Sequence, residues 1–117
     1  MFKKPYEITL NRVWDKVKIS ENGSSVLLTV NSDPMRMVAA ILQAQKLLQT
    51  IDEETTEEKK AEIALFFAEA IFGKDQAKDL MDFYSGDAAC VINVCGRYFA
   101  DRLSGLIDKA QRKAGLK

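Results

Sequence analysis

Residues 17–34 have the sequence VKISENGSSVLLTVNSDP, which carries signals for two kinds of structure. Asn22-Gly23 lies between two apolar runs, and this arrangement is the strongest short sequence signal for a β-hairpin. Asp33-Pro34 then predicts a helix start, because Asp can accept hydrogen bonds from free helix amides and Pro fits the first helical position. The stretch therefore predicts an α+β fold in which a hairpin precedes helices.

The chain on the N-terminal side of this stretch has the alternation of a half-buried strand. Tyr6, Ile8 and Leu10 alternate with polar residues at a period of two. We expect this segment to join the hairpin, so that residues 1–30 form a small β region. Because a lone hairpin is only marginally stable in water, the β region is expected to pack against the helices.

The chain on the C-terminal side, residues 33–115, has the patterns of about four helices. The second of them is expected to end at Gly73, and Asp87 is placed to cap the last one. No linker, internal repeat or low-complexity stretch divides the sequence. The 117 residues are therefore predicted to form a single domain that is mainly α.

The predicted last helix contains two glycines and two cysteines. Gly96 and Gly105 each cost about 1 kcal/mol relative to Ala, which predicts that another helix approaches closely there. Cys90 and Cys95 should point about 140° apart at roughly 100° per residue, so we expect no bond between them. Both have the character of small buried residues, which favours a reducing cytoplasm.

The residue types argue against catalysis and against metal or cofactor binding. The chain has no histidine, which excludes Ser-His-Asp and Cys-His nucleophilic sites as well as histidine zinc sites. Neither a phosphate-binding glycine loop nor the spacing of a calcium loop is present. We therefore predict no catalytic residues, no metal site, no cofactor and no enzymatic activity.

Charge and hydropathy exclude two further classes of partner. The 17 basic and 17 acidic residues give a formal net charge of zero, which argues against nucleic-acid binding. The charge is unevenly spread, with +3 over residues 1–51, −5 over 52–79 and +4 over 97–117. These blocks either orient a charged partner or are solvated helix faces. The apolar stretch Ile63–Phe72 is too short to cross a bilayer, so no membrane association is expected.

The second predicted helix supplies the first candidate for a protein-binding surface. Its second half is apolar almost all the way round, and such a helix is either wholly buried or covered by a partner. The functional interpretation is a groove or knob for a partner helix, and the alternative is core packing. The candidate residues are Phe66, Phe67, Ile71 and Phe72.

Two further stretches are candidates for protein binding. Met35 and Met37 have adaptable side chains that suit a binding surface, although Met also fills gaps in cores. Arg112 and Lys113 belong to a basic C-terminal end that could bind an acidic partner or the acidic segment of a second copy in a homo-oligomer. A solvated helix end is the alternative for this pair.

Several segments share a pattern of helix punctuation. The chain opens with FKKPYEI at 2–8, NSDPMR follows at 31–36, and AEAIFGKDQ at 68–76 leads into LMDFYSGD at 80–87. This pattern resembles that of the tail assembly chaperones of siphovirus-type bacteriophages and prophages. In it, one helix ends in Phe-Gly, a short helix ends in Phe-Tyr, and the last helix starts with Gly-Asp. The resemblance covers most of the chain but includes no catalytic signature.

The resemblance implies a specific function. Proteins of this family bind the long tape-measure protein in the cytoplasm of the bacterial host, keep its helical stretches soluble and help to recruit tail-tube protein. The alternative is a structural tail component, such as an adaptor or completion protein, that stays in the particle. A small helical regulator that binds nucleic acid is a third interpretation, and the zero net charge argues against it.

Overall fold

A β-hairpin and a bundle of helices make up the computed structural model, which describes residues 4–8, 10 and 12–113. The last helix runs without a break through a π-helical turn at Phe99–Leu103. The predicted α+β class, with a hairpin followed by four helices, is confirmed. The elements are β1 (Val13–Glu21), β2 (Ser24–Ser32), α1 (Pro34–Leu48), α2 (Glu57–Phe72), α3 (Lys74–Phe83), and α4 (Ala88–Tyr98) continued after the π turn by α5 (Ser104–Lys113).

The hairpin turns at the predicted Asn-Gly pair. Asn22 has a φ of 52° and Gly23 a φ of 83°, and two successive positive φ angles make the tight turn whose twist matches that of the strands. Glu21 is paired with Ser24 at the turn, and Val13 with Ser32 at the far end. The face of the sheet towards the helices carries the buried side chains Val13, Ile19, Leu28 and Val30.

The predicted strand at residues 6–11 is wrong for the part that the structure describes. Residues 4–8, 10 and 12 form no strand, while Thr9 and Asn11 lie outside the described residues. Tyr6, Ile8 and Leu10 are 90%, 69% and 62% exposed. Alternation alone does not make a strand, because a strand also needs a neighbouring edge and a surface to cover. We refer to residues 4–8, 10 and 12 as the N-terminal arm.

Helix α2 is the central element, since it packs on α1, α3, α4 and β2. This position explains why its second half is apolar almost all the way round. The helix starts at Thr56, whose hydroxyl accepts a hydrogen bond from the Lys59 amide at 3.1 Å. It ends at Gly73, as predicted, where a φ of +84° allows α3 to begin at the next residue.

The last helix starts as predicted, because the Asp87 carboxylate accepts a hydrogen bond from the Cys90 amide. The prediction that Gly96 and Gly105 allow close helix approach is wrong, since a Cβ at either position would meet nothing within 4 Å. Both cysteines are free, but only Cys95 is fully buried, and Cys90 is half-buried. Within the described residues, none of the helices combines the length and the apolar character that crossing a membrane requires.

Candidate protein-binding groove

A surface groove of about 450 Å³ lies where the end of β2, the start of α1 and the end of α2 meet. Two of the predicted candidate stretches, the Phe66–Phe72 segment and the Met35–Met37 segment, both reach it. The groove is lined by Asn31, Ser32, Arg36, Met37, Ala40, Phe66, Glu69, Ala70, Ile71, Phe72, Gly73 and Lys74.

The apolar part of the groove has a buried floor and a more open wall. Met37, Ile71 and Phe72 are nearly inaccessible and form the floor. Above them Ala40 of α1, together with Phe66 and Ala70 of α2, remains partly exposed. Because the two alanines are small, α1 and α2 leave space between their surfaces. The result is a cleft with an apolar base that an apolar side chain of a partner can enter.

The rim of the groove is charged. Arg36 of α1 and Lys74 of α3 are exposed cations that line the groove, and Glu69 is a partly exposed anion between apolar residues of α2. An apolar cleft edged by charges fits one face of an amphipathic helix, whose apolar residues enter the cleft while its charged residues meet the rim. Charges at such an edge determine orientation more than they add affinity.

The floor of the groove is held by hydrogen bonds and ring stacking behind it. The Phe72 ring stacks on Tyr98 with ring centroids 5.8 Å apart and an interplanar angle of 27°. The side-chain amide of Gln76 donates to the carbonyl of Phe72 at 2.9 Å and to the carbonyl of Thr29 at 2.6 Å. These contacts connect α2, α3, α4 and β2, so the groove is pre-formed rather than dependent on loops.

Behind Tyr98 lies an ion cluster that we name the Asp15 clamp, made of Asp15, Tyr98 and Arg102. The Arg102 guanidinium donates to both oxygens of the Asp15 carboxylate, at 2.6 Å and 2.8 Å, and the Tyr98 hydroxyl donates to the same carboxylate at 2.8 Å. The Asp15 side chain is only 5% exposed. The clamp therefore ties β1 to the last helix at the π turn.

The clamp shifts the pKa values of its members. Burial alone would raise the pKa of Asp15, but hydrogen bonds from Arg102, Tyr98 and the Lys16 amide, together with the Arg102 charge, lower it below its ordinary value of 3.8. Burial and the hydrogen bond to Asp15 raise the pKa of Tyr98. The carboxylate is thus ionised and its oxygens are engaged, which indicates a structural tie.

The structure separates the predicted binding residues into two groups. Phe67, Ile71, Phe72 and Met37 are buried and serve the core, although the last three also form the floor of the groove. Phe66 is partly exposed in the groove, whereas Met35 is 53% exposed and does not line it. Arg112 and Lys113 are exposed at the C-terminal end of α5 and are not among the residues that line the groove.

Arg36 lies within the predicted Met35–Met37 stretch, but sequence reasoning assigned no role to Glu69 and Lys74 at the rim and missed the whole Asp15 clamp. The rim residues carry no signal of their own, since exposed charges on helices are common. Asp15 does carry one, because it occupies an inward position of β1 between Val13 and Val17. A carboxylate on the buried face of a strand requires a hydrogen-bonding partner.

Among the described residues, no group of three or more His, Cys, Asp or Glu side chains is placed to hold a metal ion. Comparison with protein-family models, with curated proteins and with solved structures gives no match for this chain. The structural basis for a candidate function is therefore the groove.

Proposed function

We propose that this chain is a non-catalytic protein-binding module that takes an amphipathic helix of its partner into the groove. In the light of the sequence resemblance, the proposed partner is the tape-measure protein of a siphovirus-type phage or prophage. The chain would then act as a tail assembly chaperone in the host cytoplasm. It would keep the helical stretches of the tape-measure protein soluble and aid assembly of the tail-tube protein around them.

The observation that carries this proposal is the composition of the groove. Phe66, Ala40 and Ala70 offer partly exposed apolar surface, and Arg36, Glu69 and Lys74 surround it with charges of both signs. A groove of this kind recognises the pattern of an amphipathic helix more than one particular sequence. A chaperone for a long helical client needs this type of recognition, because it must bind many similar stretches.

The positions of the motif residues that carry the resemblance are compatible with this proposal. Gly73 of the Phe-Gly motif ends α2, and Asp87 of the Gly-Asp motif caps α4. Asn31, Ser32 and Arg36 of the NSDPMR motif line the groove, as do Phe72, Gly73 and Lys74 of the Phe-Gly segment. The motifs that carry the resemblance thus coincide with helix ends and with the candidate binding surface.

The test is co-expression with the tape-measure protein, followed by size exclusion with light scattering on the soluble fraction. We expect the client to be insoluble alone and to co-elute with several copies of this chain. A client that is equally soluble with and without the chain would overturn the proposal. Recovery of the chain from mature particles would instead support the structural tail component.

Two neighbouring alanines of α1 allow a matched test of the groove. Ala40 lines the groove, whereas Ala39 is exposed and lies outside it. Ala40→Lys places a long cation in the cleft and is expected to abolish co-elution, while Ala39→Lys is expected to leave it unchanged. Circular dichroism would verify that both variants keep their helices. If both variants bind the client equally well, the groove is not the binding surface.

A further inference from the structure

The N-terminal arm presents apolar side chains that the rest of the described chain does not cover. Tyr6 is 90% exposed, Ile8 69% and Leu10 62%, and they recur at every second residue. The molecule is 62 Å long, and its radius of gyration of 16.6 Å exceeds the roughly 13 Å of a compact domain of this size. An apolar segment with a period of two is typical of a half-buried strand.

The hairpin has a free edge of the kind that such a segment can join. The Thr29 N–H donates to the Gln76 side chain and the Thr29 carbonyl accepts from it, so the backbone polar groups of Thr29 face away from β1. Since Thr29 is paired with Lys16, the backbone groups of Lys16 face away from β2. The same holds at Trp14, Lys18 and Ser20, which follow at intervals of two. These residues form the outer edge of β1.

The two edges of the sheet differ in how they are covered. On β2 the side-chain amide of Gln76 forms hydrogen bonds with both the N–H and the carbonyl of Thr29. At the edge of β1 the Asp15 carboxylate accepts hydrogen bonds from Tyr98, Arg102 and the Lys16 amide, so this amide is already engaged. Helix α5 also packs against β1 on the side towards the helices. The other side of that edge carries Trp14, which is 69% exposed, and the exposed side chains of Lys16 and Lys18. A further strand can therefore pair with β1 at Trp14, Lys18 and Ser20, with its apolar row on the outer face.

We propose that the N-terminal arm of a second copy of this chain adds as a strand to the outer edge of β1. Tyr6, Ile8 and Leu10 of that copy would lie beside Trp14 and the aliphatic parts of Lys16 and Lys18. Over residues 4–8, 10 and 12–113 the sheet has only the strands β1 and β2, so no other strand of this part of the same chain pairs with the outer edge of β1. The interaction is strand addition between identical chains.

The area involved suits a specific contact. Each aromatic side chain covers roughly 150–250 Å² when it is buried. A reciprocal exchange between two copies covers both Tyr6 and both Trp14 rings, which amounts to about 600–1,000 Å². Ile8 and Leu10 add to this, so the total reaches the roughly 1,000–1,200 Å² at which specific interfaces begin.

The first test is the mass of the full-length chain in solution, measured by light scattering across a concentration series. We expect a multiple of the 13.1 kDa protomer at high concentration and dissociation on dilution. Ile8→Asp is expected to give the protomer alone, because it places a charge within the apolar row. Leu42→Asp is the matched control, since Leu42 is a similarly exposed aliphatic residue, 54% exposed, on α1.

A second variant tests the edge instead of the arm. Lys18→Pro removes an N–H that takes no part in the β1–β2 ladder, so the hairpin is kept while strand addition is blocked. We expect this variant to be a protomer at all concentrations. In the wild type, hydrogen exchange of the Lys18 and Ser20 amides should become slower as the protein concentration rises. A protomer at all concentrations would overturn the proposal, as would an oligomer that Ile8→Asp leaves intact. No client protein is present, so the result is independent of the proposed chaperone activity.

Discussion

The side-chain amide of Gln76 pairs with both backbone polar groups of Thr29, as a neighbouring strand would. Its oxygen accepts from the Thr29 amide at 2.8 Å, and its nitrogen donates to the Thr29 carbonyl at 2.6 Å. An open strand edge invites pairing with other chains, and proteins commonly cover such edges. One glutamine at the start of α3 therefore closes the middle of the β2 edge.

We expect Gln76→Ala to lower the free energy of unfolding by about 1–2 kcal/mol, since hydrogen bonds to Thr29 and Phe72 are lost. Urea unfolding measures this change, and hydrogen exchange should become faster at the Thr29 amide. Gln43→Ala is the control, because Gln43 is exposed on α1. Equal effects of the two substitutions would show that Gln76 contributes no more than a surface residue.

The Asp15 clamp predicts a loss of stability in acid. The pKa of Asp15 is lower in the folded chain than its ordinary value of 3.8, so the unfolded chain binds the proton first as the pH falls. The stability that ionised Asp15 contributes is complete above about pH 4 and is lost below it, as the pH passes through the folded-state pKa. The measurement is the urea midpoint at pH 7 and pH 3.

The comparison that isolates this effect uses two Asp→Asn substitutions. Asp15→Asn should be less stable than the wild type at pH 7, and the difference should shrink at pH 3. Asp101→Asn changes a carboxylate that is 69% exposed, and it should leave the pH dependence close to that of the wild type. A difference between Asp15→Asn and the wild type that stays constant with pH would contradict the lowered pKa.

Two glycines predict opposite effects of the same substitution. Gly96 lies in the interior of α4 with open space around it, so Gly96→Ala should stabilise the chain by about 0.5–1 kcal/mol. Gly73 has a φ of +84° and a ψ of 167°, a conformation that residues with a Cβ avoid, so Gly73→Ala should destabilise it by about 1–3 kcal/mol. Thermal or urea unfolding of both variants checks the signs, and a stabilising Gly73→Ala would contradict the described junction of α2 and α3.

The two cysteines should differ in reactivity. Burial raises the pKa of the Cys95 thiol to about 12, whereas Cys90 is half-buried and its pKa is raised mainly by a hydrogen bond to Asp87. With a thiol reagent such as DTNB we expect one slow reaction in the folded chain and two reactions in urea. Cys90→Ser should remove the reaction of the folded chain. Fast reaction of two thiols without denaturant would show that Cys95 is accessible.

Local sequence signals were sufficient where a few neighbouring residues determine the conformation. Asn22-Gly23, Asp33-Pro34, Gly73 and Asp87 each act within their own turn, and the structure confirms the hairpin and the helix boundaries they predict. The alternation at Tyr6, Ile8 and Leu10 failed because a strand depends on a partner outside the segment. In the proposed exchange between copies, the edge of β1 in the second copy supplies this partner.

Contacts between distant parts of the chain could not be predicted from the sequence. Asp15 meets Tyr98 and Arg102 across separations of 83 and 87 residues. The π turn that contains Arg102 changes which side chains of the last helix share a face. No residue between Phe99 and Leu103 gives a sequence signal for this turn. The groove was predictable in part, since Phe66 and Met37 were candidates, but their proximity and the charged rim depend on how α1 crosses α2.

The position of the Asp15 clamp also determines how the chain would carry a mechanical load. A force that pulls on the N-terminal arm enters the sheet at Val13, and Asp15 lies two residues further along β1. After the Val13–Ser32 and Trp14–Asn31 pairs open, the tension therefore reaches the last helix through Arg102 and Tyr98 before it can separate the remaining pairs of the ladder. Because forced unfolding follows the unfolding rate, the rupture force in a single-molecule experiment would report on this clamp and not on the number of strand pairs.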